Sequence, residues 1–264
     1  MDGQRAEAKT RDGIVCITDR RQLSRLLYPN PVCLLSVAPE GKTPNVMTIS
    51  WLTAADNNGT VLLSMNKRRH TASLLGEGAM FVLSVPTYKL RNLVLRIGKL
   101  TGAKWDKFST LKLASCSPGW EHPSGSSPSE TDTSPVAKRA KTDEKTATSG
   151  PGQQPTSASH PGVQTTKPKA TTTPKEPEGT SRSYRLVAVS DCVCHIVCQL
   201  EKMVDEFIDG HWLLRATMKK AWVRETHWSG KNFCPKTAQG GDEDLLTFLG
   251  SQKFGRLAAP VAEG

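Results

Sequence analysis

The sequence predicts a mainly β protein: a closed or nearly closed β-barrel with a few peripheral helices, interrupted by a long disordered insert. Three observations carry this. Short runs rich in branched and aromatic residues, bounded by Pro, Gly or Asn, recur along the first part of the chain and return near its end. Helical spacing appears only in a few short segments between those runs. From Ser117 to Ser183 the composition changes to Ser, Thr, Pro, Gly and Lys, and ten of the 17 prolines but only one aromatic residue, Trp120, fall there. Such a segment cannot bury enough apolar surface to offset its chain entropy. Removing it leaves roughly 200 residues, enough for one core. The expected organisation is an N-terminal extension (1–24), one discontinuous domain (25–116 and 184–255), the insert (117–183) and a C-terminal tail (256–264).

The elements follow in order. "PVCLLSVAP" (31–39), "NVMTISWLTA" (45–54), "TVLLSMN" (60–66) and "MFVLSVPT" (80–87) fit strands. "PEGKTPN" and "ADNNGT" are hairpin-type turns, so the first and second runs pair antiparallel, as do the second and third. "TASLLGEG" has a Thr at the cap position and closes on glycines. "YKLRNLVLRIGKLTG" repeats Leu90, Leu93, Val94 and Ile97 at helical spacing, and "KWDKFSTLKL" adds a further turn or two. After the insert come two long strand-like runs, "YRLVAVSDCVCHIVCQLEKMVDEF" and "HWLLRATMKKAWVRE", joined through "IDG". "GGDEDLLTFLGSQKFGRLAAP" ends the chain as a short helix or an extended arm.

The formal net charge is +10, nearly all of it outside the insert, which favours anionic ligands or partners without choosing a nucleotide over a polymer. The seven cysteines are odd in number and strand-like in spacing. With a polar N-terminus and no apolar run of transmembrane length, free thiols in a reducing compartment are expected. "CVCHIVC" resembles a metal motif, but a strand would turn Cys192, Cys194 and Cys198 to one face as small hydrophobes. Paired ligands with a tight turn between them and a second pair elsewhere, the pattern of a structural zinc site, are not clear, so no metal is expected.

The densest chemistry lies in "SMNKRRHTASLL" (64–75). Ser64 and Asn66 end a strand, Lys67, Arg68, Arg69 and His70 supply cations, and Thr71 and Ser73 fall at a predicted helix start. Cations, hydroxyls and backbone N–H groups together suit a phosphate; equally, Thr71 caps a helix and the cations face water. Upstream, Thr48 and Ser50 alternate with Met47, Ile49 and Trp51. A hydroxyl row on a barrel strand faces solvent or lines the edge of a flat heteroaromatic ring.

The stretch "NPVCLLSVAPEGKTPNVMTISWLTAADNNGTVLLSMNKRRHTASLLGEGAMFVLSVPT" resembles the flavin reductase-like domain family, the FMN-binding split barrel. The likeness runs through Asn-x-Met-Thr-x-Ser-Trp, a strand ending near Arg-x-Thr, a helix and a Phe-Val-Leu-x-Val-Pro strand. "GKLTGAKWDKFSTLKL", with its Lys107-Phe108 pair, "VSDCVCHIVCQL" and "DGHWLLRATMKKAWV" extend it to residues 25–116 and 184–255. The resemblance implies a six-stranded Greek-key split barrel that forms a homodimer, with FMN in a groove near the interface. Thr48, Ser50 and Trp51 would border the isoalloxazine and ribityl parts, and Ser64, Lys67, Arg69, His70 and Thr71 would hold the phosphate. His211, in Asp209-Gly210-His211 where the family has Gly-Asp-His, would approach the nicotinamide or the flavin.

The function so implied is an oxidoreductase that moves a hydride from NADH or NADPH, bound transiently, to flavin N5 and on to a further electron acceptor. No Gly-x-Gly-x-x-Gly motif offers a separate dinucleotide fold. Two other classes stay open: an FMN-binding or dimer-scaffold protein without reductase activity, and a basic barrel binding nucleic acid. The last is disfavoured by 6% aromatics and by strands without a Phe or Tyr row. The expected location is the cytoplasm. The basic cluster "PVAKRAKTD" (Pro135 to Asp143) resembles a nuclear import signal that an import receptor would read.

Overall fold

The computed structural model describes residues 10–11, 14–15, 20–120, 182–235 and 241–258. The import-signal-like cluster and most of the expected insert lie outside them. In chain order the elements are β1 (Thr10–Arg11), β2 (Ile14–Val15), α1 (Arg20–Leu23), β3 (Asn30–Pro31), β4 (Cys33–Pro39), β5 (Asn45–Ile49), β6 (Leu52–Ala54) and β7 (Thr60–Asn66). There follow α2 (His70–Leu74), β8 (Met80–Val85), α3 (Arg91–Lys99), α4 (Lys107–Leu111) and β9 (Ser115–Cys116). After the insert come β10 (Tyr184–Arg185), β11 (Ala188–Val189), β12 (Cys194–Val204), β13 (His211–Val223), β14 (Leu245–Gly250) and β15 (Lys253–Leu257).

The main sheet is antiparallel. From β4 it runs through β8, β12, β13 and β7 to β6, and β5 pairs with β4. The run expected as one strand over 45–54 is thus two, broken at Ser50 and Trp51. Its first half closes on β4 and its second half on β7, at opposite ends of the sheet. A two-residue link spans only about 10 Å, so the sheet has to curl until its ends meet. The result is a mainly β split barrel whose seam is Ser50–Trp51.

Alternation fills it. Along β7, Val61, Leu63 and Met65 point inward, joined by Leu35, Phe81, Leu83, Leu200 and Leu214 inside the barrel. The opposite face of β4 and β5 presents Leu34 and Val46 to α3 and α4, which bury Val94, Ile97 and Leu111. α4 starts on Asp106, whose carboxylate accepts the N–H groups of Phe108 (3.0 Å) and Ser109 (3.3 Å).

Two further features differ from the sequence reading. The C-terminal segment is a hairpin, β14–β15, which also pairs with β3. Ser251 (φ 48°) and Gln252 (φ 63°) turn it with two positive φ angles, as right-handed strand twist favours. The folded body extends past Cys116 to Trp120: the indole Nε1 donates to Ser190 O (2.9 Å) and the ring stacks on His195 (4.3 Å). That one aromatic residue gives Ser117–Trp120 something to bury, which the surrounding composition lacks. Both chain segments flanking the insert form one compact unit.

Cys33, Cys192, Cys194 and Cys198 are buried, and burial pushes the thiols up, to about 12 for Cys194 and Cys198. They are protonated, unreactive core residues at neutral pH. His195 is equally internal. Its Nδ1 accepts the Gly119 N–H (3.3 Å) and its Nε2 donates to Val189 O (3.0 Å), while burial holds its pKa below the usual value. Among the described residues no helix is long and apolar enough to cross a membrane.

Candidate functional site

The seam opens into a cleft of about 390 Å³. Its floor comes from the broken strand, with Met47, Thr48, Ile49, Ser50 and Trp51; Ser64, Asn66 and Arg69 enter from the end of β7, and His211 from the start of β13. β13 pairs with β7 in the register His211↔Asn66, which brings a residue distant in sequence to this mouth. Trp51 is 42% exposed; its Nε1 donates to Tyr28 Oη (3.2 Å) and its ring lies 5.4 Å from that of His211. His211 Nδ1 meets the carbonyl of Asp209 at 3.3 Å. A carbonyl only accepts, so Nδ1 is the donor in this bond.

Beside the cleft lies a depression of about 130 Å³ lined by Arg68, Arg69, His70, Thr71 and Lys107. Met47, Thr48 and Arg69 line both, so the two form one groove with an apolar, hydroxyl-edged end and a cationic end. The turn that presents the cations is fixed by Asn66, whose Oδ1 accepts from Arg68 N (2.9 Å) and whose carbonyl accepts from Arg69 N (3.0 Å). α2 begins at His70 with Arg69 as its N-cap, so Thr71 does not cap the helix. Its buried hydroxyl accepts from Asn45 Nδ2 (2.8 Å) and ties α2 to β5.

Of the residues expected at the site, Thr48, Ser50, Trp51, Ser64, Arg69, His70, Thr71 and His211 line this groove. Two need qualification. Lys67 does not line it: its ammonium pairs with Asp205 and lies over the Trp212 ring at 5.0 Å. Its N–H bonds Gly210 O (3.0 Å), so the chain there follows the β12–β13 connection, away from the cationic end. Thr48 borders the groove, but its hydroxyl donates to Val94 O (2.8 Å), which anchors α3 on the sheet.

Sequence reasoning missed Lys107. It is 4% exposed, and its Nζ donates to Val46 O (2.8 Å) and Ile97 O (3.2 Å). Burial first, then the charge of Arg69, lowers its pKa to about 8. A signal existed: Lys107 and Leu111 are four apart on the buried face of α4, so a cation occupies an apolar-stripe position. Asn66 and Arg68, both within the cationic stretch, also belong to the groove, as do Tyr28 and Phe248, which nothing local in the sequence marks.

One atom points to a ligand. Ser64 Oγ is buried, lines the cleft and has no hydrogen-bond partner. Leaving it so costs about 1–3 kcal/mol. The other such atom among the described residues, Ser36 Oγ, does not line the cleft.

An antiparallel barrel split at one strand, with a groove of this polarity at the split, is the architecture of FMN-binding split barrels. Residues 23–123 match the Flavin reductase like domain family. An uncharacterized protein of Archaeoglobus fulgidus is 36% identical over 88 residues, which is 33% of this chain and 49% of that protein; the match spans about half the length of this relative. Among solved structures, the FMN-binding protein of Thermus thermophilus with bound 1-cyclohex-2-enone superimposes with a TM-score of 0.55 at 15% identity, covering 100% of both chains. Nitrilotriacetate monooxygenase component B of Bacillus cereus gives a TM-score of 0.58 at 11% identity, covering 96% of this chain and 100% of its own. An NADH:FAD oxidoreductase of Streptomyces globisporus gives 0.51 at 14% identity, covering 93% and 98%. At these identities the structural likeness establishes the fold.

Proposed function

We propose that the chain is an FMN-binding oxidoreductase of flavin reductase type, taking a hydride from NADH or NADPH and passing electrons to a further acceptor. The observation that carries this is the single groove at the barrel seam, with an unpartnered buried hydroxyl and apolar faces at one end and a cation cluster at the other. The residues fit the cofactor. Met47, Ile49 and Trp51 offer apolar surface for a flat ring, and Ser50 and Ser64 offer hydroxyls for its edge. Arg68, Arg69, His70 and Lys107 offer donors to a phosphate. Bound there, FMN supplies the redox chemistry, accepting a hydride at N5. The chain's part is to hold the ring, exclude water from one face and set the local charge. His211 Nε2, beside Trp51, positions a polar edge of the flavin or of the nicotinamide.

The test is an anaerobic visible spectrum of the protein loaded with FMN. Bleaching on addition of NADH or NADPH is expected and names the donor. A bound spectrum that neither nicotinamide bleaches would leave a flavin-binding protein without reductase activity, and no binding in excess FMN would refute the assignment.

We extend the reading to a homodimer. A second cavity of about 310 Å³ is lined by Cys33, Leu52, Val85, Ile196, Met218 and Leu257 among others, with no charged side chain. Leu257 is 49% exposed, and Leu52, which lines this cavity, follows Trp51 directly in the chain. A second copy covering it would remove apolar area from water. Sedimentation analysis is expected to give twice the chain mass, and Leu257→Glu to give the monomer; a wild-type monomer at micromolar concentration would rule this out.

A further inference from the structure

We propose that the ring cleft carries an anion subsite of its own, apart from the cationic depression, where Arg25 and Tyr28 hold the carboxylate of a small aromatic acid. Such an acid is then the class of the further acceptor, and that part rests on the flavin reading above. The cleft is lined by two arginines and by no Asp or Glu. Arg69 is shared with the depression and belongs to the phosphate end. Arg25 is not: Ser24, Arg25, Tyr28, Phe248, Gly250 and Ser251 line the cleft and not the depression. A flavin whose phosphate lies at Arg68 and Arg69 therefore leaves the charge of Arg25 unbalanced.

Both donors are held in place. Gly250 is buried with φ 90°, and a Cβ there would lie 3.1 Å from Tyr28 Cε2 and 3.3 Å from both Cγ and Cδ of Arg25. The Arg25 stem and the Tyr28 ring are thus packed side by side over one glycine. Phe248 supports the Tyr28 ring at 5.4 Å. Among the described residues no carboxylate pairs with Arg25. An indole N–H only donates, so in the 3.2 Å bond between Trp51 Nε1 and Tyr28 Oη the phenol is the acceptor. The phenol's own proton has no acceptor among the described residues and is available to a ligand.

The donor set selects the ligand. A guanidinium fork and a phenol O–H together serve both oxygens of a carboxylate. One full cation balances one negative charge, whereas the phosphate end gathers Arg68, Arg69, His70 and Lys107. A carboxylate therefore fits Arg25 better than a phosphate does. The walls decide the rest of the ligand. Tyr28, Trp51 and Phe248 line the same cleft, and Trp51 is 42% exposed. Aromatic surface of this kind beside a carboxylate site favours a flat aromatic acid over an aliphatic one.

The experiment is calorimetric titration of the full-length protein with benzoate, benzamide and acetate, FMN-loaded and flavin-free, the flavin-free protein also with NADH and NADPH. The variants are Arg25→Gln, Tyr28→Phe and, as a control on the exposed side of α3, Arg96→Gln. FMN-loaded wild type is expected to bind benzoate at least about tenfold more tightly than benzamide or acetate, the size of one charge-assisted hydrogen bond. Arg25→Gln should erase the margin over benzamide with FMN affinity unchanged. Tyr28→Phe should cut that margin about threefold, and Arg96→Gln should keep it. No margin over benzamide in wild type, acetate binding as tightly as benzoate, or an equal loss in Arg25→Gln and Arg96→Gln would each overturn the inference and leave the flavin site standing. An Arg25→Gln variant that keeps the benzoate margin and weakens NADPH relative to NADH would reassign the arginine to the donor and overturn it as well. If FMN does not bind, the flavin reading fails, and the benzoate margin of the flavin-free protein decides the subsite by itself.

Discussion

Gly102→Ala is expected to weaken flavin binding by at least about tenfold and to lower stability by about 1–3 kcal/mol. A Cβ at this position would lie 2.1 Å from Asn45 Oδ1, 2.8 Å from Asn45 Cγ and 2.7 Å from His70 Cδ2. These are side-chain atoms, so the question is whether they can yield. His70 is partly exposed and can swing out, at the cost of leaving the cationic end. Asn45 is 4% exposed and donates to the buried Thr71 hydroxyl, so moving it strands two buried polar groups. The glycine is thus required by the close approach of Asn45 and His70 to the backbone at the cationic end. Gly98 provides the control: it also borders the depression, but its Cβ would meet only Thr48, at 3.7 Å and 3.8 Å, an ordinary contact. Gly98→Ala, inside α3, should therefore be neutral or slightly stabilising. Urea denaturation and FMN titration of both variants decide it. If Gly102→Ala behaves like Gly98→Ala, the 101–106 loop is free to shift and Asn45 does not define the groove.

Much of the site was legible because it is local. Ser64, Arg69, His70 and Thr71 lie within eight residues, and a strand end followed by cations and a helix start is a pattern a single sequence can show. The barrel was legible for a similar reason, since turn chemistry and alternation mark strands one at a time. What was not legible depends on closure. Nothing in "NVMTISWLTA" says that the strand breaks at Ser50; the break follows from both sheet ends meeting there, a property of the whole sheet. His211 reaches the cleft through its register with Asn66, and Phe248 through a hairpin that pairs with β3. Lys67 failed the other way. By composition it belongs with Arg68 and Arg69, but Asp205 and Trp212, brought near by the β12–β13 connection, hold it elsewhere. Trp120 shows the same limit on a compositional boundary, because one large aromatic ring was enough to dock the four residues after Cys116.

Lys107→Met should change both the strength and the pH dependence of flavin binding. The wild-type ammonium is buried and donates to the carbonyls of Val46 and Ile97, with a third N–H available toward the depression it lines. Its pKa of about 8, below the ordinary 10.5, follows mainly from burial and then from Arg69. In the unliganded protein the folded state therefore releases this proton more readily than the unfolded state. Between about pH 8 and the ordinary lysine value the unfolded chain binds more protons, so this residue's contribution makes stability rise with pH across that window. A phosphate reverses the preference, because it favours the ammonium. Flavin affinity should then fall as pH rises through about 8, and binding near that pH should take up a proton. The phosphate is already largely dianionic there, with a second pKa near ~6, and Arg68 and Arg69 keep their charge, so the loss belongs to Lys107. Methionine keeps an unbranched stem, one atom shorter, and removes the donors. FMN affinity at pH 7 should drop by about ten- to a hundredfold, the value of one charge-assisted hydrogen bond, and the fall above pH 8 should disappear. The two readouts separate a role in the groove from a role in folding. A variant that is only less stable would lower affinity equally at pH 7 and pH 9, whereas one that has lost a phosphate contact approaches wild type as the wild-type lysine itself discharges.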